Sequence, residues 1–500
     1  MAAEPAEVRT YGNWRRPMSP GLGQLGMIGT GALMAGLIVV VLTTAFVGLM
    51  AGAVVAVVLG AALSTLVIRD PHGRTLLQRA AVRIAWTRSR SRRAHLYRSG
   101  PLGQVPWGTF ALPGVAARSS LSEHRDSYDR PFALVHLPGV NHYTVVFATD
   151  PDGSSLVDAS QVDLWVAHWG QWLGDLGDEP GMVGASVTVE TAPDSGARLQ
   201  REVFGRMDDQ APVIARAMLE EVVQSYPAGS ATVKAWIALT FSGAGQTEGR
   251  RRSTDEVATD LAARIAGLGQ RLQATGAGAA RPVDAQQLCE VIRIAYDPPA
   301  ARLIDMSYSD KDVPALSWDD VGPTAHQEGW GEYRHDGALS VSWSMTMPPR
   351  SAVQSSVLEK LLAPHRAIAR KRVTLVFRTM DSAQAANRVE SDKNAADFRA
   401  TSQRRPSARA MREQKFAAAN ARDEADGAGL VNFGMIVTAT VAAAADLPQA
   451  VTAIDDLSAT ARIRLRRVYG SQASAFAACL PLGIVLPHHL KVPSAVREAL

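Results

Sequence analysis

Residues 22–68 contain no Asp, Glu, Lys, Arg or His, and this one stretch limits the chain more than any other feature. One helix of ~20 residues crosses a ~30 Å hydrocarbon core, so a run more than twice that length suits two crossings and a tight turn. The spans are expected at about 25–43 and 46–68, with Gln24 and Thr30 at the entry and the turn around Thr43–Gly48. Unpaired backbone groups in lipid cost several kcal/mol each, so both segments must close as helices. A cleaved signal peptide is the competing reading. It fails because the run is too long and no A-x-A-like cleavage site follows Tyr11–Arg16.

Charge sets the orientation. Arg9, Arg15 and Arg16 precede the run, and Arg69, Arg74, Arg79, Arg83, Arg88, Arg90, Arg92, Arg93 and Arg98 follow it against a single Asp70. The positive-inside rule then predicts a multi-pass protein of the inner (plasma) membrane with both termini cytoplasmic. Residues 1–98 hold twelve Arg and three acids, a net of +9. Removed from the chain totals of 52 basic and 48 acidic residues, they leave 40 against 45, a net of −5 for 99–500. The pI of about 9.1 therefore belongs to the membrane flank, and direct nucleic-acid binding by the folded region is not expected.

Within the second span, Gly48, Gly52, Ala56, Gly60 and Ser64 recur every four residues. Such a face of small side chains lets another helix approach closely, either the first span or a partner, and leaves self-association open. Beyond it, Leu76, Leu77, Ala80, Ala81, Ile84 and Ala85 alternate with arginines in helical spacing. This predicts a basic helix on the inner leaflet with Trp86 at headgroup level. Arg83, Arg88, Arg90, Arg92 and Arg93 form its lipid-facing cluster, each contributing about 1 kcal/mol toward anionic lipid before screening.

The organisation expected is a cytoplasmic tail (1–21), a transmembrane hairpin (22–68), a basic juxtamembrane helix (69–98) and a linker (99–130). An α+β domain (131–380), a helical insertion (381–427) and a C-terminal α+β segment (428–500) follow. Phe132–Leu137 and Tyr143–Ala148 read as a β-hairpin. Strands are expected at Ala185–Glu190, Val233–Phe241, Ser340–Met347, Val373–Met380 and Val431–Ala442. Helices are expected along 162–176, at Leu199–Gln224, after a Ser253/Glu256 capping box, and at Asp284–Tyr296, Val353–Leu362 and Val451–Val468. Recurring β-α-β order with hairpins predicts a ferredoxin-like sandwich, with duplication as an option. The Arg/Asp-rich insertion, broken at Arg404-Arg405-Pro406, reads as a protruding pair of helices.

No catalytic constellation emerges. GxxxxGK[ST], HExxH, GxSxG and a post-strand GxGxxG are absent, and no Gly-Lys dipeptide occurs. His136 and His142 could meet across the hairpin, and His488-His489 sits beside a proline, but structural roles suit both pairs better than a metal site. Trp165, Trp169 and Trp172 could form a ligand platform, although a buried helix stripe fits their spacing better. Cys289 and Cys479, two isolated cysteines without CxxC spacing, suit a reducing compartment and burial. The chain is therefore read as no enzyme and as needing no cofactor.

Several segments carry a resemblance. Tyr11-Gly-Asn-Trp-Arg-Arg-Pro, the apolar hairpin, Arg69-Asp-Pro-His-Gly-Arg-Thr-Leu, Arg130-Pro-Phe-Ala-Leu and Trp165-Val-Ala-His-Trp-Gly resemble an actinobacterial membrane protein family of conjugative elements. Its N-terminal part is similar to PrgI-type inner-membrane subunits of type IV secretion systems. The segment from Tyr469 to Gly483 is similar to the end of the N-terminal, non-ATPase domain of TrbE-type secretion ATPases. The resemblance implies a scaffold subunit that docks a separate ATPase, alongside other membrane secretion subunits. The two N-terminal helices, the Arg-rich exit and Trp236-Ile-Ala-Leu also resemble EccE-type components of type VII secretion. A membrane-tethered adaptor unrelated to secretion is the third reading.

Overall fold

The computed structural model describes residues 9–12, 14, 26–100, 103, 109–151, 153, 156–194, 196–208, 210–225, 231–245, 250–309, 315–349, 351–402 and 407–490. Arg15, Arg16, Gln24 and the Arg404-Arg405-Pro406 break lie outside the described residues. Helix α1 (Gly26–Phe46) is followed by α2 (Leu49–Val67), α3 (Leu76–Ser91) and a short strand β1 (Leu96–Arg98). Among the described residues α1 is the one helix long and apolar enough to cross a membrane, over Gly29–Phe46. The apolar stretch of α2, Leu49–Thr65, is shorter, so the expected pair of spans becomes one candidate span and a shorter apolar helix.

The rest is built twice. The first unit runs β2 (Ser120–Arg125), β3 (Pro131–Leu137), β4 (His142–Thr149), α4 (Ala159–Asp175), β5 (Met182–Pro193), α5 (Ala197–Gly205), α6 (Val213–Ser225), β6 (Ala231–Ser242), α7 (Thr254–Leu272), β7 (Ala280–Pro282) and α8 (Ala285–Tyr296). Helix α9 (Ala300–Ser309) leads on. The second unit repeats the order: β8 (Ala325–Glu328), β9 (Tyr333–His335), β10 (Ala338–Met347), α10 (Glu359–Leu362), β11 (Arg370–Thr379), α11 (Ser382–Thr401), α12 (Ala408–Ala425), β12 (Val431–Val441), α13 (Leu447–Thr460), β13 (Arg464–Arg467) and α14 (Gln472–Ala478). The spatial order is β2-β3-β4-β6-β5 in one unit and β8-β9-β10-β12-β11 in the other, with β7 added to β4 and β13 to β10. Strands β5 and β11 pair antiparallel at the junction.

The result differs from the expected ferredoxin-like sandwich. All strands, including β1 at one edge, join a single antiparallel sheet rather than separate sandwiches. The cause is the β5–β11 pair: each is a long inner strand, apolar on one face, whose open edge finds its counterpart in the other unit.

Alternation explains the two layers. In β4, Tyr143, Val145 and Phe147 face α4 and α7, where they meet Trp172, Leu261 and Ile265. The Ser253/Glu256 capping box that starts α7 is present, with both reciprocal hydrogen bonds. In the second unit Trp343, Val373, Val437 and Ile454 form the corresponding core under α13. The opposite face is rich in hydroxyls, paired across strands: Thr144 with Thr240 at 3.2 Å, Ser342 with Thr438 at 2.8 Å, and Thr188 with Thr374 at 2.9 Å at the junction.

A strap made of the residues after α14 closes this polar face. Its carbonyls accept what the threonines have left to donate: Cys479 O from Thr374 at 3.3 Å, and Gly483 O from Thr240 at 3.0 Å. Gly483 has φ +62°, and a Cβ there would lie 2.2 Å from both Thr144 Oγ1 and Thr240 Oγ1. Only glycine lets the strap lie this close. Beside it Glu190 is buried between Arg370, which it pairs with through Oε1, and Arg372, whose Nε lies 2.5 Å from Oε2.

Other expectations change locally. The 99–130 linker contains β2 and the buried Ser99, held by Pro323 O at 2.8 Å. Leu199–Gln224 is two helices, because Pro212 starts α6 afresh. Only the end of Val353–Leu362 is α-helical, as α10 after a 3-10 turn at Ser355–Leu358. Val451–Val468 ends in a strand, since Ile463 and Leu465 alternate with Arg464 and Arg466 and β10 offers an edge. The insertion does form two helices, α11 and α12, packed on Ala385, Val389, Ala396, Ala400 and Ala417.

Burial alone would push the Glu190 carboxyl up, but Arg372 and Arg370 outweigh it and hold it below the ordinary glutamate value. A depressed folded-state value means stability that is complete above the ordinary range and fades as pH falls below about 4.3. Glu190→Gln should therefore lower unfolding free energy by about 3–5 kcal/mol at pH 7. It should also flatten the acid limb of the stability curve, as measured by urea unfolding from pH 3 to 7.

Candidate membrane-proximal site

The elements flanking the apolar segment converge on the second unit. The connection between α1 and α2 is only Val47-Gly48, with Val47 N and Gly48 N both donating to Thr43 O. Gly48 takes φ +120°, which a side chain would resist. The helices then pack antiparallel: a Cβ on Gly36 would lie 2.4 Å from Leu59 Cδ1, and one on Gly52 would lie 2.0 Å from Thr44 Oγ1.

This divides the predicted stripe. Gly52 is at the contact and Gly48 is in the turn, but Ala56 is exposed and nothing lies within 4 Å of a Cβ on Gly60. Ser64 is half-buried and donates to Ala61 O at 2.7 Å within its own helix. Within this pair the seam runs instead through the half-buried Val55, Leu59 and Leu63, which leaves Ala56 and Gly60 open toward a partner helix, the other reading of the stripe.

After α2 the chain makes a closed loop. Asp70 accepts from His72 N at 3.0 Å and Arg74 N at 2.9 Å, and Leu76 N returns to Ile68 O at 3.3 Å. Burial raises the Asp70 carboxyl, but these two N–H groups more than offset it and hold it below the ordinary value. Thr75 and Gln78 then form a capping box that starts α3.

Helix α3 fastens to the body through Trp86, which packs edge-on against Trp330 at 5.9 Å; Trp330 in turn stacks on Tyr469 at 5.7 Å. Arg83 lies over Trp330 at 5.8 Å. With Trp86 holding that side, the opposite arc of Leu76, Leu77, Ala80, Ala81 and Ile84 is left exposed, Ile84 at 66%. Arg83, Arg88, Arg90, Arg92 and Arg93 are all exposed beside it. The N-terminal tail docks on the same body. Tyr11 pairs with Val353 through two 2.8 Å backbone bonds, its hydroxyl donates to Asp163 at 2.7 Å, and Trp14 meets Phe433 at 5.1 Å. Burial and the Asp163 bond push the Tyr11 hydroxyl up to about 12.

Between the 70–72 loop, α3, α13 and β13 lies a cleft of about 500 Å³. Its walls include His72, Arg79, Trp343, Asp455, Arg466 and Arg467. The sequence reading missed it. Its one signal was the compact Asp-Pro-His-Gly turn directly after the apolar run, while Trp330 and Tyr469 are too distant in sequence to be associated with it.

The remaining candidates resolve as packing. His136 stacks on Tyr143 at 4.2 Å, whereas His142 faces His488 at 5.0 Å, so the two do not meet across the hairpin. Trp169 and Trp172 stack at 4.9 Å in the core, and Trp165 lies against Gly276. Both cysteines are buried. Among the described residues no group of three or more His, Cys, Asp or Glu is placed to hold a metal ion.

A family model described as a domain of unknown function (DUF8461) matches residues 18–78, which cover the apolar helices, the Asp70 loop and the start of α3. No curated protein matches the chain.

The seam between α1 and α2 makes a discriminating test. In a Gly36→Cys/Leu59→Cys background, disulfide yield should fall at least tenfold with Gly52→Leu and stay unchanged with Gly60→Leu. Equal loss from both would restore the sequence-derived stripe.

Proposed function

We propose that this chain is a membrane-anchored scaffold subunit of a bacterial secretion or conjugation apparatus of the type IV kind. In that role it orients a separate ATPase at the inner membrane. The observation that carries the anchoring is the surface of the apolar helices. Leu37, Ile38, Val54 and Val58 are each more than half exposed, although no charge accompanies them. A pair of helices apolar all round needs lipid as its solvent. At 1.5 Å per residue, α2 extends about 28 Å, close to the ~30 Å core, so both helices serve as spans with the termini inside. A signal sequence would suit α1 by length, but the close α1–α2 packing favours a retained hairpin.

The exposed apolar arc of α3, flanked by arginines, suits an interfacial helix whose other side is fastened to the body. The resemblance of the strap segment to the end of a secretion ATPase's non-motor domain supports the choice of partner, with other membrane secretion subunits beside it. Helices α11 and α12 present mixed charge together with the exposed Phe398 and Met411, a surface able to steer and hold a protein partner. The type VII reading is weaker: Trp236–Leu239 is buried in β6, so its likeness reflects core packing.

Detergent-purified protein should show no ATP turnover above background and should co-purify with a secretion ATPase expressed from the same locus. Replacing 383–425 by a short Gly/Ser bridge should weaken that association at least tenfold with the thermal transition retained. ATP hydrolysis that survives repurification would overturn the scaffold reading.

A further inference from the structure

Arg79, Arg466 and Arg467 line the cleft at the foot of the hairpin against two carboxylates, Asp70 and Asp455, which leaves one cation in excess. The Asp70 carboxylate accepts from the His72 and Arg74 amides and faces Arg466 electrostatically. Asp455 faces Arg467 in the same way, and among the described residues no hydrogen bond joins either pair. Of the arginines, Arg467 donates through Nε to Gly331 O at 2.6 Å. Arg466 lies over the Tyr469 ring at 6.0 Å, yet its Nη1 is buried with no hydrogen-bond partner among the described residues. His72 Nδ1 is likewise buried and unpartnered. Leaving a buried guanidinium donor unmatched is costly, and an oxyanion is the ligand that would satisfy it. Arg74 adds to the crowding: burial, and then Arg466 itself, hold its guanidinium below the ordinary value.

Position identifies the oxyanion. His72 follows the last residue of α2 by five positions, at most about 18 Å of extended chain, and the loop folds back onto Ile68. Trp343 and Leu465 give the cleft an apolar wall next to its cationic one. A phosphate carried on a small apolar body matches both.

We propose that this cleft binds a phosphate group, with Arg466, Arg79 and His72 as its donors. The phosphate would come from the headgroup of an anionic phospholipid in the inner leaflet. The lipid source rests on the membrane reading above; the phosphate chemistry does not. The site is separate from Arg83, Arg88, Arg90, Arg92 and Arg93, none of which lines the cleft.

The test uses the full chain in a neutral detergent. Dihexanoyl phosphatidylglycerol, dihexanoyl phosphatidylcholine, glycerol 3-phosphate and inorganic phosphate are each titrated while the melting temperature is followed. The expected result is a rise of several degrees with phosphatidylglycerol and little with phosphatidylcholine or the two free phosphates. Arg466→Gln should weaken that response at least tenfold. Arg79→Gln, on the exposed helix and safe for folding, should weaken it about threefold or more. An equal rise with glycerol 3-phosphate or inorganic phosphate, lost in Arg466→Gln, would keep the phosphate site and overturn the lipid source. A response unchanged in both variants, or none with any phosphate probe, would overturn the site. Flotation of the wild-type chain with membranes, measured separately, reports on the anchor alone, so failure of the site and failure of the membrane reading are told apart.

Discussion

The antiparallel pairing of β5 with β11 is the contact on which the rest of the soluble region depends. It turns two similar units into one sheet, with Thr188 and Thr374 opposite each other at the junction. Each inner strand would otherwise expose an unpaired edge, and edges of this length invite pairing with other chains. The strap from Cys479 to His488 secures the junction by crossing from the second unit onto the first, receiving hydroxyl donors from both. That requirement accounts for the rows of Ser and Thr on this face, which sit beside an apolar cluster where Val146, Trp236 and Ala238 meet Phe476, Leu480 and Leu482. Cross-strand hydroxyl pairs satisfy one another, and the strap's carbonyls take the remaining protons. Glu190 is held there by ion pairs to Arg370 and Arg372.

A sheet fixed in this way gives the apolar helices a firm base. Three separate pieces of the N-terminal region use it: the tail through Tyr11 and Trp14, the loop after α2 through Pro71, whose carbonyl accepts from Arg464 at 3.5 Å, and α3 through Trp86. A scaffold needs such a defined angle between anchor and body more than it needs a reactive group. The docking reading and the phosphate cleft both draw on this geometry, the first at α11 and α12, the second directly beneath the helices.

Much of this was legible from local pattern. The apolar segment, the β3–β4 hairpin, the α7 capping box and the inward-facing Trp stripe of α4, buried at Trp172 and half-buried at Trp165 and Trp169, all depend on residues within a turn or two of each other. What escaped depends on partners far away in sequence. Strand β13 reads as a helix end until β10 supplies an edge, and β2, polar except for Leu121, reads as linker until β3 orders it. Trp86 reads as a headgroup residue, and its contact with Trp330 has no signal in the sequence around it. Of the small-residue stripe only Gly48 and Gly52 serve the contact between the two helices, because four-residue spacing specifies a face and not which helix lies opposite. Duplication stood only as an option, attached to the wrong fold. That the two copies share one sheet was not legible, because strand edges carry no signal of their intended partner.

The central claim is that α1 and α2 both cross the bilayer and leave the whole body on the cytoplasmic side. Cysteine accessibility tests it most directly, since the two native cysteines are buried. Two single replacements are compared in intact and permeabilised cells with a membrane-impermeant maleimide: Val47→Cys, in the turn between the helices, and Ser407→Cys, on the exposed start of α12. The account predicts labelling of the first in intact cells and of the second only after permeabilisation. Labelling of Ser407→Cys in intact cells would mean a single span with the body outside, and would contradict it.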